Sequence, residues 1–125
     1  MSSVLIALDG NGIRRSALNV AYDYCVEMRL NVDILLVDGE EKVAPLLADF
    51  LARLNKAGLD TRLYRKTGPL NKAVLELANA SNRIYVILVD SMKSWGSGIP
   101  FRTIKQPIGV LSGAAPGAHA AQGLA

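Results

Sequence analysis

Two short runs of consecutive apolar residues constrain the fold of this chain more than any other feature of its sequence. Residues 4–8 read VLIAL and residues 84–89 read IYVILV. A strand without a polar face has no side to turn toward water, so it has to be buried on both faces of its sheet. Strands of this kind are typical of parallel sheets that carry helices on both sides. The two runs therefore predict a mainly parallel sheet.

Helical and extended patterns alternate between and around these two runs. Apolar residues spaced three and four apart predict helices at about 13–30, at about 43–57 before Gly58, and from Pro69 onward. Further strands are predicted at 32–37, 59–66 and 108–111. Half of the residues in the segment LDTRLYRK (59–66) are charged. This strand is expected at a sheet edge, where charge discourages pairing with another chain.

The alternation of strands and helices predicts an α/β fold. It is a three-layer sandwich around a five-stranded, mostly parallel sheet, with the strand order 3-2-1-4-5 and a Rossmann-like topology. The switch point of that order lies between strands 1 and 4, and open sheets of this kind bind ligands there, beyond the carboxyl ends of the strands. Two segments are expected to face each other at this point, residues 9–12 and the residues from Asp90 onward.

Composition limits the number of domains and the classes of partner. Residues 1–111 are expected to form one domain, and residues 112–125, which are small and nearly featureless, are expected to form a disordered tail. The net charge of +3 is spread without a basic run, which disfavours nucleic-acid binding. No apolar run approaches the ~20 residues of a membrane helix. Cys25 is the single cysteine, which suits a reducing compartment, so a cytoplasmic protein is expected.

In their order and spacing, these segments resemble the universal stress protein family over residues 3–111. The resemblance rests on VLIALDG followed by a helix with SALNVAYDYC, on the strand DILLV, on Gly68-Pro69 and the helix that leads to IYVILV, and on Pro107 followed by IGVL. The resemblance implies a fold of the adenine nucleotide alpha hydrolase-like kind and a role in stress responses. It also implies a homodimer that forms through the last strand.

The same resemblance implies where an adenine nucleotide such as ATP or AMP would bind. Asp9 stands where nucleotide-binding members read the adenine, and Val37 stands where strand 2 contacts the base through its backbone. In those members a glycine pattern after strand 4 holds the phosphates. Here Asp90 and Lys93 occupy the positions of its first two glycines. Gly96 and Ser97 match its closing pair only if most of the intervening residues are deleted.

These departures predict that ATP binding is lost or greatly weakened. Phosphate oxygens need several backbone N–H donors at close range, and a side chain at the contact position holds the backbone away. The negative charge of Asp90 would also oppose a triphosphate by several kcal/mol at an effective dielectric constant of ~20. In this interpretation Gly96 and Gly98 only permit a tight turn before Pro100. The alternative is a phosphate site rebuilt from Lys93, Gly96 and Ser97, with slow ATP hydrolysis.

Other residues at the carboxyl ends of the strands offer weaker candidates. Asp9, Asp38 and Asp90 each follow a strand, and clustered carboxylates can hold Mg²⁺ or accept a phosphoryl group. Aspartate is also a common turn residue, and this reading is disfavoured. Arg14 and Arg15 are expected on a solvated face rather than reaching over the cleft.

Little in the sequence supports catalysis. The single histidine, His119, lies in the tail, which argues against a Ser-His-Asp or Cys-His hydrolase and against a histidine-based zinc site. Cys25 is expected to be a buried small hydrophobe, and Trp95 is expected to pack on the adjacent helix. The sequence therefore favours a protein that acts by binding rather than by turnover, with no catalytic residue and no metal site.

Overall fold

The computed structural model describes residues 2–39 and 44–111. The predicted tail at 112–125, with His119, lies outside the described residues, and so does the predicted start of the second helix at Val43. A short 3-10 helix (Phe101–Thr103) precedes the last strand. The remaining elements, in chain order, are β1 (Ser3–Asp9), α1 (Arg15–Met28), β2 (Asn31–Val37), α2 (Ala44–Lys56), β3 (Thr61–Lys66), α3 (Leu70–Ala80), β4 (Ile84–Val89), α4 (Met92–Trp95) and β5 (Ile108–Val110).

The five strands form one sheet in the order β3-β2-β1-β4-β5. Every neighbouring pair is parallel, so the predicted α/β sandwich and its strand order are confirmed. No helix in the described part of the chain is long and apolar enough to cross a membrane.

Burial of β1 on both faces divides the core into two halves. Residues 4–8 are each at most 1% exposed. Successive side chains of a strand point to opposite faces. Val4, Ile6 and Leu8 therefore pack with residues of α1 and α2, whereas Leu5 and Ala7 pack with residues of α3. The apolar run thus holds helices on both faces, as predicted.

The run in β4 departs from this pattern at one residue. Ser3 of β1 is paired with Ile84 and Val4 with Val86, so Tyr85 is an extra residue in β4. An extra residue of this kind is a bulge, which redirects its side chain. Tyr85 is 56% exposed. The prediction that all of 84–89 is buried on both faces is therefore wrong at Tyr85.

The sheet edges are β3 and β5. In β3 the charged residues Arg62, Arg65 and Lys66 are exposed, and the predicted edge position of this strand is confirmed. Such charges limit the pairing of an open edge with other strands.

Asp33 in β2 provides a buried carboxylate near the amino ends of the strands. The side chain of Asp33 in β2 is 3% exposed, and the guanidinium of Arg83, just before β4, donates to both of its oxygens. Nη2 lies 3.2 Å from Oδ1 and 3.0 Å from Oδ2, and Nε lies 3.3 Å from Oδ2. The Ser3 N–H at the start of β1 donates to the Arg83 carbonyl at 2.8 Å. This pair therefore links β2 and β4 across the first residues of β1.

Removal of the Asp33 carboxylate tests this link. Asp33→Ala leaves the partly buried Arg83 guanidinium without its counter-charge, and breaking a buried pair typically costs about 3–5 kcal/mol. We expect the free energy of unfolding, measured by urea denaturation, to fall by about 3 kcal/mol. Asp23→Ala removes an exposed carboxylate from α1 and should change stability by less than about 0.5 kcal/mol. Equal effects of the two variants would contradict the structural role of the pair.

Candidate functional site

The carboxyl edge between β1 and β4 is the switch point of the sheet. Helix α1, which follows β1, packs together with α2 on one face of the sheet, through Ala17 and Leu18. The segment that follows β4 packs on the other face, through Trp95. The chain leaves β1 and β4 toward opposite faces, and open α/β sheets bind ligands in the crevice that this divergence creates. The predicted site residues lie around this crevice or beside it.

The two residues expected to contact an adenine are engaged in contacts within the protein. The Asp9 carboxylate accepts a hydrogen bond from the Asn11 N–H at 2.9 Å, which stabilises the turn after β1. Val37 is 2% exposed, and its carbonyl accepts a hydrogen bond from the Gly10 N–H at 2.7 Å. The Val37 backbone that would face a base is thus covered by the loop after β1.

The loops after β1 and β2 touch at Gly10. A Cβ on Gly10 would lie 2.4 Å from the Cα of Gly39 and 2.5 Å from the carbonyl oxygen of Asp38. Because these are backbone atoms, no side chain fits without a shift of one of the loops. Glycine at position 10 therefore allows the two loops to close against each other, beside the expected base site.

An ion pair spans the crevice itself. Arg14 Nη2, at the start of α1, donates to Asp90 Oδ1, at the end of β4, at 2.8 Å. The Asp90 side chain is 10% exposed and the Arg14 side chain 51%. The hydrogen bond to Asp90, and then its negative charge, raise the pKa of the Arg14 guanidinium. Two loops that are far apart in sequence are therefore joined at the point where a ligand would enter.

This pair corrects two expectations. The solvated face predicted for Arg14 and Arg15 is found for Arg15, which is exposed and lies 3.9 Å from a carboxylate oxygen of Asp49. Arg14 is exposed as predicted, but it also reaches over the crevice to Asp90, which the prediction disfavoured. Asp90 is also paired, so its charge would oppose a triphosphate less than the expected unpaired carboxylate would. A ligand in the crevice would instead meet the ion pair itself.

Several amides of the segment after β4 are used within the segment. Ser91 and Ser94 form a reciprocal cap, in which each backbone N–H donates to the other hydroxyl at 3.1 and 3.0 Å. The N–H groups of Trp95 and Gly96 donate to the carbonyls of Ser91 and Met92. Lys93 and Ser97 are exposed. A phosphate at this segment would have to displace these internal hydrogen bonds or use the amides that remain.

Trp95 anchors the same segment to α3. It is 2% exposed and packs in the core half that contains Leu70 and Val74, as predicted. Its Nε1–H donates to the Ile99 carbonyl at 2.6 Å, and its ring meets the Phe101 ring edge-on, with centroids 5.0 Å apart.

The glycines after Trp95 have the conformation expected of a turn. Gly96 and Gly98 have φ values of +90° and +94°, a region that other residues rarely adopt. The buried side chain of Asn71 donates to the Ser97 carbonyl at 2.9 Å. Pro100 then leads into the 3-10 helix. The prediction of a tight turn before Pro100 is therefore confirmed.

The other candidate groups are separated or inert. Asp38 accepts a hydrogen bond from the Gly68 N–H at 3.3 Å, so Asp9, Asp38 and Asp90 each have a different partner. Among the described residues, no three His, Cys, Asp or Glu side chains lie close enough together to hold a metal ion. Burial raises the pKa of the Cys25 thiol to about 12, which leaves it protonated and unreactive at neutral pH.

A cavity of about 400 Å³ opens at the carboxyl edge, on the side of β2 and β3. Its lining includes Leu36, Asp38 and Arg65. None of the residues predicted to bind a nucleotide lines this cavity, so it is separate from the crevice between β1 and β4.

Comparison with known proteins identifies the class of fold. No protein-family model and no curated protein matches the chain. A structure from the universal stress protein family of Burkholderia pseudomallei is similar with a TM-score of 0.62 and 16% identity, over 86% of this chain and 92% of that chain. A universal stress protein from Archaeoglobus fulgidus DSM 4304 is similar with a TM-score of 0.55 and 19% identity, over 77% of this chain and 34% of that chain. The chain therefore has the fold of universal stress protein structures.

Two contacts at the crevice do not follow from the sequence patterns. Arg14 binds Asp90, and Asn71 donates to the Ser97 carbonyl. The sequence signal for Arg14 is its position just before α1, because that helix begins at the switch point of the sheet. Asn71 lies on the apolar face of α3, where a polar residue signals a buried hydrogen bond.

Adjacent arginines allow a matched test of the ion pair. Arg14→Ala leaves the nearly buried Asp90 carboxylate without its partner, whereas Arg15→Ala removes the same charge from a solvated position. We expect Arg14→Ala to lower the melting temperature by several degrees and Arg15→Ala to leave it nearly unchanged. Circular dichroism at 222 nm would follow both. A melting temperature for Arg14→Ala that matches that of Arg15→Ala would show that the pair contributes nothing to stability.

Proposed function

We propose that this chain is a universal stress protein-like domain with a regulatory or protective role in stress responses, which it exerts by binding rather than by turnover. In this proposal ATP binding is lost or greatly weakened, and the protein works in the cytoplasm. The similarity of the fold to universal stress protein structures supports the class. The single, unreactive cysteine suits a reducing compartment.

The observation that carries the loss of ATP binding is the Arg14–Asp90 ion pair. It joins the loops after β1 and β4 at 2.8 Å, where a nucleotide would have to lie between them. A ligand that enters must break this pair and leave a nearly buried carboxylate without a partner, which is costly. The buried Val37 carbonyl and the internally bonded amides of Ser91 and Ser94 support the same conclusion.

A second candidate function is retained because of Lys93 and Ser97. Both are exposed beside the crevice, and Gly96 between them adopts a positive φ. A lysine can contact phosphate as a point charge. In this alternative Lys93, Gly96 and Ser97 hold the phosphates and the protein binds ATP, with slow hydrolysis.

Thermal unfolding with and without millimolar Mg-ATP separates the two functions. A ligand at 100 times its dissociation constant stabilises the folded state by ~2.7 kcal/mol, which corresponds to a rise of about 10 °C or more for a domain of this size. We expect no change in the melting temperature of the natural chain. A clear rise would overturn the loss of ATP binding.

Two lysine variants show whether any such rise comes from the rebuilt site. Lys93→Gln removes the proposed phosphate contact, and Lys105→Gln removes an exposed charge elsewhere in the same connector. In the alternative function, only Lys93→Gln abolishes the effect of Mg-ATP. Equal effects of both variants would indicate non-specific attraction of the nucleotide.

We further propose that the chain forms a homodimer through β5. The Pro107 carbonyl accepts a hydrogen bond from Ile87 at 2.9 Å, and the Leu111 N–H donates to Val89 at 2.7 Å. Because successive residues in a strand direct their N–H and C=O groups to alternate sides, Ile108 and Val110 direct theirs away from β4. No other strand in the described part of the chain pairs with these groups, and an open strand edge of this kind can pair with a second strand.

Proline at position 108 tests this assembly. Ile108→Pro removes an N–H group that faces outward, so the bonds to β4 remain while pairing with a second copy loses a donor. We expect sedimentation velocity to show a dimer for the natural chain and a weakened dimer for Ile108→Pro. Ile108→Val keeps the N–H and should remain dimeric. A stable dimer of Ile108→Pro would place the interface elsewhere.

A further inference from the structure

The amino edge of the sheet, opposite the crevice, carries a cavity of about 600 Å³. It lies on the α3 face, between the end of α3, the start of β4 and the edge strand β3. Its polar lining is formed by Ser2, Arg62, Tyr64, Ser81, Asn82 and Arg83. The volume lies within the range of small-molecule sites in proteins, so the chemistry of these side chains decides what such a cavity would accept.

The guanidinium of Arg83, which lines this cavity, is held by hydrogen bonds that do not use all of its N–H donors. Its Nε and Nη2 atoms bind the buried Asp33 carboxylate, and Nη2 also donates to the Tyr64 hydroxyl oxygen at 3.2 Å. Nη1 forms no hydrogen bond with a described residue, and the side chain is 26% exposed. The guanidinium is therefore held in one orientation by its partners while one of its nitrogens remains able to donate to a ligand.

Two hydroxyl groups add further donors. The Tyr64 oxygen already accepts from Arg83, so its own proton is left to donate. The Ser81 hydroxyl oxygen accepts a hydrogen bond from the backbone N–H of Arg83 at 3.4 Å, so the Ser81 hydroxyl proton is also left to donate. Both residues line the cavity. Together with the Nη1 nitrogen of Arg83, these two hydroxyl protons make the cavity rich in donors, which favours a ligand that offers only acceptor oxygens, as an ionised carboxylate or phosphate does.

Arg62 supplies the net charge. It is an exposed residue of β3 that lines the cavity and forms no ion pair with a described residue. Asp33 offsets the charge of Arg83, and it lines an adjoining cavity, shared with Arg62 and Arg83, rather than this one. No acidic residue is among the described residues that line this cavity of about 600 Å³. The cavity at the carboxyl edge differs in this respect, because the exposed Asp38 lines it together with Arg65.

We propose that this amino-edge cavity binds the anionic group of a small molecule, a phosphate or a carboxylate. Arg62 and Arg83 provide the charge-assisted hydrogen bonds, and the hydroxyls of Tyr64 and Ser81 complete the donor set. Hydrogen bonds between a guanidinium and either anion are among the strongest in proteins. The site is independent of the crevice between β1 and β4, so it stands whether or not the protein binds ATP.

Titration of the ¹⁵N-labelled chain with inorganic phosphate, and separately with succinate, tests the proposal by NMR. Ionic strength is held constant with sodium chloride. We expect saturable shifts of the backbone amides at residues 62–64 and 81–83 with at least one probe. Saturation by phosphate alone assigns the site to phosphorylated ligands, and saturation by succinate alone assigns it to carboxylates.

Variants on a single strand supply the control. Arg62→Gln should weaken binding about tenfold. Arg65→Gln removes the same charge three residues along β3, on the opposite face of the sheet, and should change binding less than about twofold. Tyr64→Phe keeps the partly buried ring and should weaken binding about threefold through loss of the hydroxyl. The melting temperature of Arg62→Gln should equal that of the natural chain, because Arg62 is exposed.

Three results would overturn the proposal. They are the absence of saturable shifts with both probes, equal weakening by Arg62→Gln and Arg65→Gln, and shifts centred on residues 65–67. The second would reduce the effect to general attraction of anions, and the third would assign it to the cavity at the carboxyl edge.

Discussion

The burial of β1 on both faces is the constraint on which the rest of the structure depends. Residues 4–8 are at most 1% exposed and send alternate side chains into two separate core halves. With both faces of the central strand covered, the chain leaves β1 toward one layer of helices and β4 toward the other. The crevice at the carboxyl edge is thus a consequence of how the core is divided. Its contents, in contrast, are set by the few residues that follow each strand.

Those residues form contacts between the segments that border the crevice. One arginine crosses it to a nearly buried carboxylate, Gly10 lets two loops touch through their backbones, and Trp95 holds the connector against α3. None of these contacts alters the sheet. The contents of the crevice can therefore differ while the core stays the same, because the core and the crevice depend on different residues.

The sequence predicts what arises from regular patterns and misses what arises from single side chains. Unbroken apolar runs and a charged strand were enough to give the strand order and the edge position of β3. The turn at Gly96 and Gly98 and the burial of Trp95 also followed from local chemistry. The Arg14–Asp90 pair joins residues 76 positions apart, and an arginine at the start of a helix is most often solvated. The exposure of Tyr85 depends on a shift in register between β1 and β4, which an apolar run does not encode.

Two arginine–carboxylate pairs stand at opposite ends of the sheet, and their geometry gives the ends different properties. Asp33 receives a two-pronged contact from Arg83, whose position is further fixed by Tyr64. Asp90 receives a single hydrogen bond from a half-exposed Arg14, and its second oxygen has no partner among the described residues. A forked contact fixes the orientation of both groups, whereas a single contact leaves the half-exposed Arg14 side chain freer to turn about its partner. The nearly buried Asp90 carboxylate still depends on that one contact for its counter-charge, so breaking it is costly. The amino edge holds its donors in place before any ligand arrives, and such preorganisation lowers the entropic cost of binding.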